Sequence, residues 1–255
     1  MTATPDALAA SSALVRELRH VLALNEERAT NPILAGALDR LREWQAARLR
    51  NTYADLAADP RYAGAVSFFE TDLYGSGDFS RRDADLMRIV PAIGRFLPAG
   101  VIDCVAQAVE LNALSQELDR MLLTRLPRVD AGFTVADYCR AYRRAGEPAS
   151  RRRQIQLIGE VGTGLDRYVH KRLLRTSLAM MRKPARRAGM GALQDFLERG
   201  FAAFRAMGGA GEFLATVQER ETALLEAIMA GKAAPFPDPT IVLAPRSSTP
   251  APAAP

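Results

Sequence analysis

The chain has 255 residues, 48% of them hydrophobic and 25% charged, the balance of a soluble globular protein with a sizeable core. No run of about 18 uncharged apolar residues occurs, which excludes a membrane-spanning helix. The opening MTATPDALAASS lacks the basic-then-apolar order of a secretory signal.

The net charge of +5 is unevenly spread. Residues 1–138 hold 15 Arg and 19 acids, net −4; residues 139–187 hold 14 Lys or Arg against 3 acids, net +11; residues 188–255 are net −2. Arg outnumbers Lys 31 to 3, a bias that reflects coding composition as much as function, so the position of the charge matters more than its total. The two cysteines, Cys104 and Cys139, are far apart and form no C-x-x-C, which fits buried thiols in a reduced, cytoplasmic setting.

In chain order, an apolar face of Leu14, Leu18, Val21, Leu22 and Leu24 predicts a first helix over 5–28. Asn31-Pro32 is an N-cap followed by proline at the first helical position. The second helix then runs to about Ala58 on Leu34, Leu38, Leu41, Gln45, Leu49 and Tyr53. Asp59-Pro60 starts a third, carrying Tyr62, Val66, Phe69 and Leu73, which stops at Gly75. Ser80 to Asp83 has the form of a capping box, and the fourth helix contains Pro91, which should kink it. A long helix over 101–126 ends at Pro127. Thr134 with Asp137 caps a short helix to Ala145, with Phe133 and Tyr138 placed as a hydrophobic staple. From Pro148 the pattern is helical to about Arg182, where Lys183-Pro184 interrupts it. Helices over 192–207 and 212–230 complete the set.

Period-two alternation is almost absent, so the fold class is all-α: a multi-helix bundle of about nine helices forming one domain over 1–231. The Pro/Ala-rich residues 232–255 read as an extended, disordered tail, with Thr240–Leu243 able to dock as a short extended piece.

Reactive motifs are missing. Neither His20 nor His170 follows a Glu by three residues, and there is no H-E-x-x-H, so no metal site is indicated. No G-x-S-x-G occurs, and both cysteines sit on helical apolar faces, where a thiol acts as a small hydrophobe. Gly159, Gly162 and Gly164 stand in the wrong order for a dinucleotide fingerprint and follow no strand; close helix contact explains them better. No cofactor is implied.

Two regions stand out. Residues 67–95 pack Phe68, Phe69, Leu73, Tyr74 and Phe79 into twelve positions around the Gly75-Ser76-Gly77 break. They also carry Asp72, Asp78, Asp83 and Asp85 beside Arg82. The aromatics read as core filling a corner, and the acids as helix caps and arginine partners rather than a general acid–base pair. The second region is the basic run, in which Arg140, Arg143, Arg144, Arg151, Arg152, Arg153, Lys171 and Arg175 are the candidate partner-binding residues. They would meet an anionic partner: nucleic acid, an acidic protein or a membrane surface. The amphipathic stretch from Leu173 through Met181 makes the membrane option respectable. The competing expectation is that these arginines pair internally with the acidic first half.

At Phe68-Phe69-Glu70-Thr71-Asp72-Leu73-Tyr74 the sequence resembles the bacterial family named for an F-F-L-E-E-L-Y motif. Phe68, Phe69, Leu73 and Tyr74 match outright, Asp72 replaces Glu, and Glu70 and Thr71 depart. The resemblance spans most of residues 35–230 and implies a helical bacterial protein of no assigned activity, so it carries over no catalytic residue. The expectation is a non-enzymatic binding or interaction module using the basic face. The alternatives are a bundle with an apolar pocket for a lipid-like or cofactor ligand, lined by Phe68, Phe69 and Tyr74, and, third, an enzyme using Asp72, Asp78 or Asp83.

Overall fold

The computed structural model describes residues 5–73, 80–96, 98–127, 129 and 132–239, with the side chains of 5–10, 73 and 90–96 outside that description. Among the described residues there are eleven α-helices and no strand. They are α1 (Pro5–Thr30), α2 (Pro32–Thr52), α3 (Ala54–Ala58), α4 (Ala63–Phe68), α5 (Ser80–Phe96), α6 (Ala99–Leu123), α7 (Val135–Ala145), α8 (Pro148–Val169), α9 (Arg172–Arg187), α10 (Gly191–Ala206) and α11 (Gly211–Met229). A π turn, Phe69–Leu73, extends α4.

Local chemistry sets several of these boundaries. The Asn31 side chain accepts the Leu34 N–H at 3.0 Å, with Pro32 behind it at the first helical position. Thr134 and Asp137 form a reciprocal box: each side chain accepts the other's backbone N–H, at 3.2 and 3.1 Å. Phe133 and Tyr138 stack across it at 6.5 Å. Gly146 closes α7 with φ of +73°, a conformation that favours a residue without Cβ.

Eleven helices replace the expected nine because two long patterns are each broken by tertiary contacts. The second breaks at Tyr53, whose buried hydroxyl donates to Glu221 on α11 at 2.7 Å. The other breaks at His170-Lys171, where the backbone turns extended and sends α9 onto α10. The expected interruption at Lys183-Pro184 is not there. The helix α9 runs through Pro184 to Arg187, and Met180, whose carbonyl the proline leaves unpaired, is exposed so that water can serve it. Backbone helix also continues through Pro91 to Phe96.

The core has three parts. α1 lies along α5 and α6, burying Leu14, Leu18, Val21, Ile102 and Val109. A second part gathers Tyr53, Tyr62, Val66, Ile158, Phe204, Phe213 and Leu214 from α2, α4, α8, α10 and α11. In the third, Trp44 on α2 stacks on Tyr138 at 4.5 Å, and Phe236, beyond α11, closes on both rings edge-on at 6.0 and 6.1 Å. Phe236, placed by composition in the tail, is thus 7% exposed and part of the core. Thr240–Leu243 lie outside the described residues.

α8 is the central rod, pressed between α6 and α11, and its glycines explain how. The place a Cβ would take at Gly159 meets Gln218 and at Gly162 meets Leu214, both on α11, while at Gly164 it meets Cys104 on α6. Small residues here permit close helix approach, as the sequence spacing implies.

Candidate functional site

The F-F-E-T-D corner is a packing joint. Phe68 lies against Phe196, with ring centres 5.4 Å apart, and its Cζ comes within 2.9 Å of where a Cβ on Gly200 would stand. Phe69 turns to Phe213 at 5.8 Å and Phe204 at 6.5 Å. The π turn widens the backbone between these rings and Asp72, which meets Arg199 on α10 through two arginine nitrogens, at 2.5 and 3.1 Å. Arg82 spans the joint: it donates to the Asp72 carbonyl at 3.2 Å and to Asp83 at 3.4 Å, and lies over the Phe196 ring at 4.4 Å. Burial pulls its guanidinium below the ordinary value against the pull of Asp83. Asp83, 5% exposed, also accepts from Asn25 at 3.1 Å and Asn112 at 3.3 Å, tying α5 to α1 and α6. Leu73 is placed only by its backbone in the π turn; Tyr74, Asp78 and Phe79 lie outside the described residues. Asp72 and Asp83 are therefore committed to arginine and amide partners inside the fold.

Two concavities flank this core. Beside Phe69, a crevice bounded by Leu49, Tyr53, Val66, Phe213 and Val217 holds about 40 Å³, room for a water or two against the roughly 300–1,000 Å³ of ligand pockets. Burial raises the Glu70 carboxyl at its lip, and Arg48 holds Glu221 at 2.8 and 3.0 Å. The other, an open groove of about 380 Å³ between α1, α6 and α8, is lined by Glu17, His20, Glu110, Glu117 and Arg153. His20 contacts Glu117 at 3.1 Å. Among the described residues, no group of three or more His, Cys, Asp or Glu is placed to hold a metal.

The basic run separates into two sets. Arg140 pairs with Asp137 one turn back. Arg143 donates to the Ile228 carbonyl at 3.1 Å. Arg151 is 5% exposed, lying over the Tyr142 ring at 4.3 Å and donating to the Leu118 carbonyl at 3.3 Å. Arg153 spans Glu110 and Glu160 at 2.9 and 3.1 Å. The last three hold helices together, while the Arg140 pair stays within α7. Arg144, Arg152, Lys171 and Arg175 are exposed and form no ion pair among the described residues.

The candidates therefore form no single face; the continuous basic surface is α9, which contains no acid. Arg182 and Arg186 pin it to Glu198 and Asp195 of α10 at 2.8 and 2.9 Å. Arg172, Arg175, Lys183 and Arg187 remain exposed without an ion-pair partner among the described residues. The signal was in the sequence, sixteen residues with six cations and no carboxylate, but it was diluted by merging α9 with α8. Among the described residues no helix is long and apolar enough to cross a membrane.

The profile of a family described as a domain of unknown function (DUF8198) matches residues 24–235. The chain belongs to that family. The DUF8198 match takes in the aromatic joint and all of α9 and ends at Pro235, one residue before Phe236. No curated protein and no solved structure matches the chain.

Proposed function

We propose that this DUF8198 protein is a non-enzymatic interaction module that meets an anionic partner through α9. The observation that supports this is four exposed cations, Arg172, Arg175, Lys183 and Arg187, without an ion-pair partner among the described residues, on a helix without a carboxylate. Elsewhere in the basic run Arg140, Arg143, Arg151 and Arg153 are engaged by the fold and the exposed Arg144, Arg152 and Lys171 are scattered over α7, α8 and the turn before α9, so α9 is where a partner's negative charge would be answered. The resemblance of Phe68–Tyr74 to the F-F-L-E-E-L-Y family fits a helical bacterial protein, and the two unpaired cysteines Cys104 and Cys139 fit a cytoplasmic one. Among the described residues, Asp72 and Asp83 face arginines and amides, so neither supports the acid–base reading with a free carboxylate.

The test is titration of the full chain against a polyanion such as heparin at graded salt. Four neutralised contacts predict a fall in affinity of roughly 50–150-fold between 50 and 200 mM NaCl. The variant Arg172→Glu/Lys183→Glu should bind far more weakly at low salt. Affinity indifferent to salt and to that variant would refute the proposal.

A further inference from the structure

The residues of α9 fall into four stripes, one of which, Arg175, Ala179, Arg182 and Arg186, carries the ion pairs to α10. Leu174, Leu178, Met181 and Ala185 follow 3–4 spacing; Ala185 is buried, Leu174 and Leu178 are half-buried, Met181 at the edge stays 49% exposed, and Gln194 of α10 donates to the Leu178 carbonyl at 2.8 Å. This stripe faces α10. Next to it run Leu173, Ser177, Met180 and Pro184, all exposed, Leu173 at 77% and Met180 at 73%. Arg172, Thr176, Lys183 and Arg187 form the fourth, on the far side of that stripe. Thus α10 covers only half of the helix's apolar arc. Of the five most exposed large hydrophobic residues among those described, three (Leu173, Met180, Met181) are on this one helix.

A phosphate backbone would be satisfied by the cations and has no use for a leucine and a methionine held in water beside them. A second copy of the chain could cover the apolar stripe, but would bring the same unneutralised cations against it. An anionic bilayer answers both features: headgroup phosphates beside the arginines and lysine, and the acyl boundary under Leu173 and Met180.

We infer that α9 is an interfacial helix that docks the protein on a membrane rich in anionic phospholipid, lying in the plane of the surface and not crossing it. The inference rests on the anionic-partner reading above and narrows it to a lipid. Docking is the work of the exposed stripes, while the Arg182–Glu198 and Arg186–Asp195 pairs keep the helix presented by the folded domain.

The experiment is co-sedimentation of the full chain with vesicles of phosphatidylcholine alone and with 30% phosphatidylglycerol, with heparin binding measured in parallel. Two variants are compared: Leu173→Ser/Met180→Ser, both at exposed positions, and Arg172→Glu/Lys183→Glu, each checked for unchanged helicity. The wild type should bind the anionic vesicles at least tenfold more tightly than neutral ones. Either variant should lose at least tenfold on vesicles, whereas the serine variant keeps its heparin affinity within about twofold. Binding to heparin but not to anionic vesicles overturns the lipid inference and leaves the broader anionic-partner reading standing. Undiminished vesicle binding by the serine variant overturns it as well, as does a wild-type dimer that the serine variant abolishes. Failure to bind either anion removes both.

Discussion

Two alanine substitutions, one turn apart on α8, should move stability in opposite directions. A Cβ at Gly162 would stand within 3.2 Å of three Leu214 atoms, inside the roughly 3.5–4.0 Å of carbon–carbon contact. Leu214 is 4% exposed and enclosed by its own cluster, so it has no free rotamer to escape into. Overpacking of this kind costs about 1–3 kcal/mol, and relief of glycine's poor helix propensity returns about 1 kcal/mol. Gly162→Ala is therefore expected to lose about 1 kcal/mol. At Gly159 the obstruction is the amide end of Gln218, a half-buried side chain that can rotate away. There the propensity gain dominates, and Gly159→Ala should be up to about 1 kcal/mol more stable than wild type. With a urea slope near 3 kcal/mol/M for a chain of this size, the two midpoints should differ by roughly 0.7 M, read by far-ultraviolet circular dichroism. A Gly162→Ala protein as stable as wild type, or one more stable than Gly159→Ala, would refute the account of how α8 meets α11.

Phe68→Ala opens a hole at the aromatic joint and should cost about 3–5 kcal/mol, lowering the melting temperature by roughly 10 °C; a shift of a degree or two would mean that the joint is not core. The Thr134 hydrogen bonds hold the Asp137 carboxyl below its ordinary value of 3.8. Its stabilisation is thus complete above that value and lost as pH falls through the depressed one, so Asp137→Asn should destabilise at pH 7 and converge with wild type in acid unfolding curves. Burial pushes the Cys104 and Cys139 thiols up to about 11. At pH 8 the buried Cys139 should resist iodoacetamide in the folded chain and the half-buried Cys104 should react slowly, while the denatured chain is modified fully; rapid native labelling of Cys139 would contradict its burial.

What could be read from the sequence follows the range of the interaction. The Asn31 and Thr134 caps are side-chain-to-backbone bonds within three residues, and the expected positions hold. The break at Tyr53 coincides with its bond to Glu221, which is 168 residues away, and no local residue type announces it. The π turn exists where Phe68 and Phe69 are both captured by rings on α10 and α11, a demand invisible along the strand of sequence itself. Proline density hid Phe236, because one aromatic anchor is enough to hold a segment whose composition reads as tail. Charge counting located the basic region without sorting it. Arg140 had Asp137 one turn away, but Arg153 finds Glu110 across 43 residues and Arg151 is buried beneath Tyr142.

The central claim, that α9 is the face offered to an anionic surface, is tested most directly by a reporter on it. Ser177→Cys carries an environment-sensitive fluorophore in the exposed stripe, in a Cys104→Ala background whose remaining thiol, Cys139, is buried, with Ala57→Cys on α3 labelled as the comparison. Adding vesicles with 30% phosphatidylglycerol should shift the Ser177 label to the blue, reversibly with salt, and leave the α3 label unchanged. A label at Ser177 that stays in water while the protein binds, or an equal shift at both sites, would contradict it.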